Sequence, residues 1–363
     1  MTALSYVFIG LSITSSWGNG HATTYRGLLK NLTRRGHRAL FLERDLPFYA
    51  RSRDLRSPPW AEVELYTSFD DLDARFRGAV RDADVVIVGS YVPEGVRVGS
   101  WALDTARGKT VFYDIDTPIT LEKLARSDHE YLTPELIPRY DLYLSFTGGP
   151  TLELLERVHG ARRARPLYCS VDTDDYYPAQ TEPRWDLGYL GTYSQDRQGR
   201  LEQMLIEPAR RWLRGRFAVF GAQYPTDIAF PPNVARGEHL PPGEHRAFYT
   251  SQRFTLNITR EAMITAGYSP SVRLFEAAAC GVPIVSDAWP GIESFFDPGR
   301  EIFIARTPEE VRFLLCELPE SLRRTVASLA RERTLAAHTA AHRARELEQY
   351  TREIHKPRAS ATA

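Results

Sequence analysis

One glutamate, Glu276, lies among small apolar residues in the segment 267–287, GYSPSVRLFEAAACGVPIVSD. Ser269 is a favourable N-cap and Pro270 a favourable first helical residue, so the pattern predicts a helix that begins there. The free N–H groups and the dipole at such a helix start attract phosphates. A carboxylate inside the helix needs hydrogen-bond donors, and two ribose hydroxyls would satisfy both of its oxygens. The segment therefore predicts a nucleotide site.

The same segment also has a purely structural interpretation. A core helix can carry a glutamate that a neighbouring arginine neutralises. In many α/β proteins a helix is followed by a Gly-x-Pro turn that leads into a strand. A fold can host many functions, so this segment alone leaves both interpretations open.

A second polar segment, GNGH, follows the first predicted strand. Backbone N–H groups at Gly18 and Gly20 could contact a phosphate, and His21 could act as a base in a ligand cleft. The segment is not the dinucleotide fingerprint GxGxxG, because Thr23 stands where the third glycine would be. A plain tight turn with a solvated histidine is the alternative.

The composition limits the classes of partner. The chain has 363 residues, and Lys+Arg 46 balances Asp+Glu 46, so no overall field favours nucleic acid or an anionic membrane. The sequence has no apolar stretch long enough to span a membrane. Three separated cysteines, Cys169, Cys280 and Cys316, form no CxxC pair. We expect a cytoplasmic protein without a metal site.

Strand-like and helix-like segments alternate twice along the chain, which is typical of parallel βαβ units with helices on both sheet faces. The alternation is interrupted by a segment rich in Pro, Asp and Tyr near residues 166–185. We predict two Rossmann-like α/β domains, residues 1–170 and 171–335, with a ligand cleft at the carboxyl ends of their strands. Residues 336–363 are predicted as a helix that returns to the first domain, followed by a polar tail.

Two aspartates, Asp114 and Asp116, lie at a predicted strand end in YDIDTP. A DxD pair could bind Mg²⁺, but the tandem domains argue against that metal site. Two interpretations stay open: a base or acceptor-binding role, and capping of Thr117 or the next turn.

Two arginines follow strands of the second domain, Arg197 in GTYSQDRQ and Arg260 in NITRE. A guanidinium binds phosphate oxygens in a fork, so each could contact a diphosphate. Because arginine is abundant in this chain, each could equally be an ordinary surface residue.

The second half resembles the nucleotide-binding half of GT-B glycosyltransferases. In detail, SPSVRLFEAAACGVPIVSDAWPGIESFFDPGREI resembles the CgeB/YkvP-type glycosyltransferase family, named after a spore-maturation protein. The resemblance extends to GTYSQDRQ and to HATTYRGLL in the first half. It implies a GT-B fold, with a nucleoside diphosphate sugar bound by the second domain and the acceptor bound mainly by the first.

The resemblance also implies roles for residues. Glu276 would bind the donor ribose, and the enzyme would be a hexosyltransferase without a bound metal or tightly bound cofactor. Tyr268 departs from related retaining enzymes, which have an acidic residue eight positions before the ribose glutamate. The expected catalytic residues are His21, Asp114 and Asp116. The expected donor-binding residues are Gly18, Gly20, Thr192, Arg197, Arg260, Ser269, Ser271, Val272, Arg273 and Glu276.

The sequence leaves other functions open. A sugar-nucleotide epimerase of the same fold would share the nucleotide site but need further acids and bases around the sugar. A non-catalytic sugar-nucleotide-binding or spore-layer protein would keep the fold without the cleft chemistry. The acceptor of a transferase could be a small molecule, a glycan or a protein.

Overall fold

A computed structural model describes residues 2–355. They form two compact units, one of residues 2–168 with 340–355 and the other Cys169–Thr339. The predicted polar tail, residues 356–363, lies outside the described residues.

The first unit is an open parallel sheet covered by helices. Its described residues give seven strands in the order β3-β2-β1-β4-β5-β6-β7. The strands are β1 Ser5–Gly10, β2 Arg38–Arg44, β3 Glu62–Tyr66, β4 Val85–Gly89, β5 Lys109–Asp114, β6 Leu142–Ser145 and β7 Ala164–Pro166. The helices are α1 Gly20–Arg34, α2 Pro47–Ala50, α3 Phe69–Asp82, α4 Gly95–Thr105, α5 Thr117–Ala125 and α6 Pro150–Arg157.

The central strands form because their residues are apolar on both faces. All five residues of β4, VVIVG, are buried, as parallel strands between two helical layers require. The strand order reverses between β1 and β4, so the loops that follow these two strands diverge and leave a crevice at the carboxyl edge.

The second unit repeats this plan. Its residues give six parallel strands in the order β10-β9-β8-β11-β12-β13, and this order reverses between β8 and β11. The strands are β8 Trp185–Leu190, β9 Phe217–Phe220, β10 Val234–Gly237, β11 Gln252–Asn257, β12 Ile284–Ser286 and β13 Phe303–Ile304. The helices are α7 Gln195–Leu201, α8 Glu207–Arg211, α9 Pro242–Thr250, α10 Glu261–Ala266, α11 Val272–Ala279, α12 Pro308–Cys316 and α13 Glu320–Ala337.

A π-helical turn, Glu202–Ile206, joins α7 to α8. Pro208 follows within the same helical run, and it has no N–H for the regular bond to the carbonyl four residues earlier. The missing donor accounts for the local widening of the helix.

The last helix, α14 Ala340–His355, belongs to the first unit. Its Ala344 and Leu347 are fully buried in the core beside β1. The Thr351 hydroxyl lies 2.9 Å from the Tyr6 hydroxyl. This helix is separated from α13 at His338 and Thr339, where Thr339 forms a parallel bridge with Val171.

The predicted fold class, two α/β domains with parallel sheets, is confirmed. Three strands were not predicted: β3, β7 and β10. Each is the outermost strand on one side of its sheet.

Glu348 holds α14 in the first unit. Its carboxylate accepts hydrogen bonds from Arg35, 2.7 Å from Nε, and from Arg352, 2.9 Å from Nε. Burial alone would raise the pKa of Glu348, but these bonds outweigh burial and lower it from 4.5 to about 2.

We expect Glu348→Gln to lower the free energy of unfolding at pH 7 by about 2 kcal/mol, because charge-assisted hydrogen bonds are lost. A depressed pKa stabilises the fold above the unfolded-state value, and this stabilisation is lost as the pH falls from there toward the folded-state value. The difference between the variant and the wild type should therefore shrink between pH 5 and pH 2 in urea titrations. Glu353→Gln, on the same helix but 3.8 Å from Arg163 and 37% exposed, is the control and should change little.

Candidate functional site

Arg273 lies where the strand order of the second unit reverses. Its Nε donates to the carbonyl oxygen of Leu190, the last residue of β8, at 2.6 Å. Its Nη1 donates to Oδ1 of Asn257, the last residue of β11, at 2.8 Å and to the Ser271 hydroxyl at 3.1 Å. One buried guanidinium therefore joins the ends of both strands to the start of α11.

The Nη2 nitrogen of Arg273 packs against the loop after β8. No hydrogen bond from Nη2 to any described residue is present. A Cβ at Gly191 would lie 3.0 Å from this nitrogen and 2.7 Å from the Tyr189 hydroxyl, so the close approach suits glycine. A guanidinium N–H that no described acceptor takes suits a phosphate oxygen.

The helix that carries Arg273 starts later than predicted. α11 begins at Val272, and Ser271 is its N-cap residue with φ −84° and ψ 145°. The predicted start at Ser269 and Pro270 is therefore wrong by two residues. Tyr268 has a positive φ of 48°, and its N–H donates to a carbonyl of a neighbouring loop. This turn keeps the chain outside helical geometry until residue 272.

Glu276 is buried on α11, with 3% of its surface exposed. Its Oε2 accepts a hydrogen bond from the Tyr249 hydroxyl at 2.8 Å. Burial, together with the charge of Glu276, raises the pKa of Tyr249 well above the usual range, so this hydroxyl stays a donor. Among the described residues, no lysine, arginine or histidine forms an ion pair with Glu276. The carboxylate is thus held by a hydroxyl group, the kind of donor that a ribose also offers.

The predicted arginines follow β8 and β11: Arg197 lies in the first turn of α7, and Arg260 in the loop after β11. Arg197 Nη2 donates to the Thr192 carbonyl oxygen at 2.5 Å, while its Nε is buried and has no partner within residues 2–355. Arg260 is the N-cap residue of α10, and its Nε lies 3.7 Å from Oδ2 of Asp196. Both side chains therefore follow the strands that border the order reversal, the edge where ligands of open sheets bind.

The loop after β1 in the first unit depends on Asn19. Asn19 is the N-cap residue of α1, and its Oδ1 accepts from the backbone N–H of His21 at 3.0 Å. Its Nδ2 donates to the Ser15 carbonyl oxygen at 3.1 Å. Gly18 has φ +60°, a conformation that favours glycine, and Gly20 is the first residue of α1. The sequence analysis did not assign Asn19 a role, although it is a favourable N-cap residue at this position.

His21 contacts a residue that the sequence analysis did not single out, Tyr91. The two rings meet edge to face with centroids 5.5 Å apart, and the Tyr91 hydroxyl donates to Oδ2 of Asp116 at 3.1 Å. Tyr91 has φ +61°, a strained conformation for a bulky residue and one that is frequent at functional sites. His21 and Tyr91 follow β1 and β4, so this cluster lies at the order reversal of the first sheet.

Asp114 is enclosed in the first unit. Its carboxylate accepts from the Tyr143 hydroxyl at 2.6 Å and from the Thr120 hydroxyl at 2.7 Å, and its exposed fraction is 0%. Burial, partly opposed by these bonds, raises the pKa of Asp114 to about 6. The backbone N–H of Asp116 also donates to Asp114, at 3.2 Å. This geometry matches the strand-end capping that the sequence left open.

Within residues 2–355, no group of three or more His, Cys, Asp or Glu side chains is arranged to hold a metal ion. None of the helices described for this chain has the length and apolar character needed to cross a membrane.

Comparisons with known proteins agree with this fold. Residues 197–349 match the model of a family described as glycosyl transferase-like. No curated protein matches the chain.

Three solved structures illustrate the similarity. Sucrose-phosphate synthase from Thermosynechococcus elongatus has a TM-score of 0.69 and 13% identity, covering 97% of this chain and 99% of its own. Anabaena Alr3699/HepE in complex with UDP-glucose has a TM-score of 0.70 and 14% identity, and the match covers 96% of this chain and 100% of the HepE chain. An alpha-glucosyltransferase in complex with UDP-glucose and DNA has a TM-score of 0.71 and 12% identity, covering 97% and 100%. At these identities the comparisons establish the GT-B fold.

We predict that His21 stays neutral through the physiological range. Burial lowers the pKa of its imidazole from 6.5 to about 4, because the charged form is poorly solvated there. A ¹⁵N titration of the imidazole signals, with the His21 signal assigned by its loss in His21→Gln, should give a midpoint near 4. A midpoint at the ordinary value would contradict the buried geometry.

We also predict that Arg273→Lys destabilises the second unit by about 3 kcal/mol, because one ammonium group cannot replace the hydrogen bonds of a planar guanidinium. Urea unfolding followed by tryptophan fluorescence measures the change. Arg324→Lys is the matched control, since this guanidinium is 75% exposed and pairs with Glu320 at the surface. Equal stability of the two variants would show that the Arg273 contacts contribute little.

Proposed function

We propose that this protein is a glycosyltransferase that transfers a hexose from a nucleoside diphosphate sugar to an acceptor. The observation that carries the proposal is the pairing on α11: a buried carboxylate, Glu276, held by the Tyr249 hydroxyl, and a guanidinium, Arg273, at the helix start. This pairing lies within the residues that match the glycosyl transferase-like family.

The donor is assigned to the second unit. The diphosphate would meet the N–H groups at the start of α11, Nη2 of Arg273 and the first turn of α7, which carries Arg197. The ribose would meet Glu276. Thr192, Ser269, Ser271, Val272 and Arg260 remain proposed neighbours of the donor. UDP-sugars are the first donors to test, because two of the structural neighbours were solved with UDP-glucose.

The proposed chemistry depends on stabilising the leaving diphosphate. As the bond to the sugar breaks, negative charge collects on the diphosphate. The stabilisation that nearby positive groups give to the diphosphate therefore increases toward the transition state. Arg273 and the dipole of α11 would supply that stabilisation without a metal ion or tightly bound cofactor. The resemblance to CgeB/YkvP-type enzymes supports the same assignment.

The acceptor is assigned to the first unit. A neutral His21 can take the proton of an acceptor hydroxyl, and Asp116, bonded to Tyr91, is the second candidate base. Asp114 would support Asp116 through the hydrogen bond to its backbone N–H, and Gly18 and Gly20 would shape the loop. The balanced charge of the chain supports an acceptor other than nucleic acid, although three of the structural neighbours were solved with DNA.

A cytoplasmic location is part of the proposal. No disulfide joins Cys169, Cys280 and Cys316 within residues 2–355, which supports a reducing compartment.

A thermal-shift screen with UDP-, GDP-, ADP- and dTDP-sugars tests the donor assignment. A ligand at a concentration of about 100 Kd should stabilise the protein by about 2.7 kcal/mol. We expect Glu276→Ala to abolish the shift that the best donor gives, while the unliganded variant stays folded. Glu317→Ala, an exposed glutamate of the same unit, is the control and should keep the shift. If Glu276→Ala keeps it as well, Glu276 is not in the donor site.

Product analysis distinguishes transfer from epimerisation. The bound donor is incubated without any acceptor, and the sugar of the recovered nucleotide is identified. A transferase returns the donor sugar unchanged or hydrolysed, whereas an inverted sugar on the nucleotide would identify an epimerase.

A further inference from the structure

A cavity of about 340 Å³ lies in the first unit beside the loop that follows β1. Two aromatic rings, a proline, an arginine and a serine line it: Trp17, Phe48, Pro47, Arg51 and Ser52. Its volume falls within the range of small-molecule sites, about 300–1,000 Å³. Trp17 follows β1 and the other four residues follow β2. The cavity therefore lies at the carboxyl edge of the sheet, the edge that also carries His21.

Two aromatic rings form the apolar part of the cavity. The rings of Trp17 and Phe48 meet edge to face, with centroids 4.9 Å apart and an angle of 70° between their planes. Phe48 is 54% exposed, although a large apolar side chain gains free energy by burial. Exposed aromatic faces with polar groups around them are typical of ligand-binding surfaces. The C–H face of a sugar ring can stack on such faces.

Hydrogen bonds fix the two chain segments that carry these rings. The carboxylate of Asp54 accepts from the N–H and the hydroxyl of Ser16, each at 2.9 Å, and from both terminal nitrogens of Arg26 at 2.8 Å. The Ser15 hydroxyl donates to the carbonyl oxygen of Ser52 at 2.9 Å. Because these bonds join the loop after β1 to the segment after β2, the aromatic pair needs little further ordering when a ligand binds.

One cation of the cavity has no partner in the described part of the chain. The neighbouring arginines are neutralised, since Arg26 pairs with Asp54 at 2.8 Å and Arg53 pairs with Asp45 at 2.7 Å. Arg51 is exposed, and its guanidinium forms no ion pair or hydrogen bond within residues 2–355. None of the five lining residues is acidic. The cavity thus offers a fixed aromatic corner with a single available positive charge beside it.

We infer that this cavity binds a sugar residue of the acceptor that carries a single anionic group, with the ring against Trp17 and Phe48 and the anion on Arg51. The inference rests on the proposed function, which assigns the acceptor to the first unit. Trp17 is four residues before His21, and four residues span at most about 14 Å. An acceptor held in the cavity can therefore present a hydroxyl to His21. The three side chains determine specificity and take no part in proton transfer.

A nucleic acid also offers rings and anions, but the charges of the cavity fit it poorly. Proteins that bind single strands combine stacking rings with a positive groove that follows several phosphates. Here Arg51 stands beside two arginines that carboxylates already neutralise. One available cation matches one anion. A single carboxylate or phosphate on a sugar ring is therefore the favoured ligand.

NMR titrations of the full chain without nucleotide, at low ionic strength, test the inference. The ligands are the methyl glycosides of glucose and galactose, their 6-phosphates and the corresponding uronic acids. The signal followed is the Trp17 indole N–H, assigned by its loss in Trp17→Phe. We expect an anionic sugar to shift this signal and to bind about threefold more tightly than its neutral parent, the effect of one exposed ion pair. The uronic acids and the phosphates distinguish the two kinds of anion.

Two variants assign the contacts. Arg51→Gln should remove the preference for the anionic sugar and leave the affinity of the neutral parent unchanged, because the amide has no charge. Phe48→Ala should weaken anionic and neutral sugars alike by about fivefold, the loss of one aromatic contact. Arg324→Gln and Phe313→Ala, exposed side chains of the second unit, are the matched controls and should change neither affinity. A preference that survives Arg51→Gln, equal affinity of charged and neutral sugars, or no Trp17 shift with any of them would overturn the inference.

Further outcomes separate this inference from the proposed function. A single-stranded oligothymidylate that shifts the Trp17 signal at a lower concentration than any anionic sugar would identify a nucleic-acid site and overturn the inference. If an anionic sugar binds as expected but no UDP-, GDP-, ADP- or dTDP-sugar binds, the anionic-sugar site is supported and the proposed function is wrong. If a sugar is transferred to an acceptor that leaves the Trp17 signal in place, the proposed function holds and the inference is overturned.

Discussion

The second unit depends on one buried cation at the point where its strand order reverses. There the loops after the two neighbouring strands turn to opposite sides of the sheet. Without a side chain that contacts both strand ends, the ends of β8 and β11 would be joined only by the backbone hydrogen bonds between the two strands. Arg273 supplies the bridge, with Nε on one strand end and Nη1 on the other. The start of α11 is fixed by the same group through Ser271. The positions of Glu276 and of every proposed phosphate contact follow from that bridge.

Both units have a parallel sheet whose strand order reverses, but the side chains at the two reversals differ. At the order reversal of the second sheet the buried groups are a guanidinium and a carboxylate, which suit a charged, polar ligand. At the order reversal of the first sheet, a histidine ring with a lowered pKa meets a tyrosine in a strained backbone conformation. A neutral base beside a hydroxyl and a carboxylate suits proton removal better than anion binding. The difference matches a division into one unit for the donor and one for the acceptor.

The sequence predicted the inner strands and the residues on them better than it predicted the edges and turns. Inner strands such as β4 are apolar throughout, so their pattern is unmistakable. The unpredicted strands β3, β7 and β10 have one paired side only and carry polar residues, and so lack that pattern. The sequence marked Glu276 as a candidate because a carboxylate is conspicuous among alanines. Tyr91 was not marked, since a tyrosine in a loop looks ordinary until its backbone angle is known.

The return of α14 to the first unit ties the earliest residues of the chain to late ones. Leu347 and Ala344 complete the core that begins with Tyr6 and Phe8, and Glu348 neutralises Arg35. During synthesis the first sheet can form long before the residues of α14 leave the ribosome. Until α14 has been synthesised, the apolar face of α1 that it covers stays exposed. The second unit has all of its own strands by then and can fold first. The second unit, although synthesised later, therefore completes its fold before the first unit does.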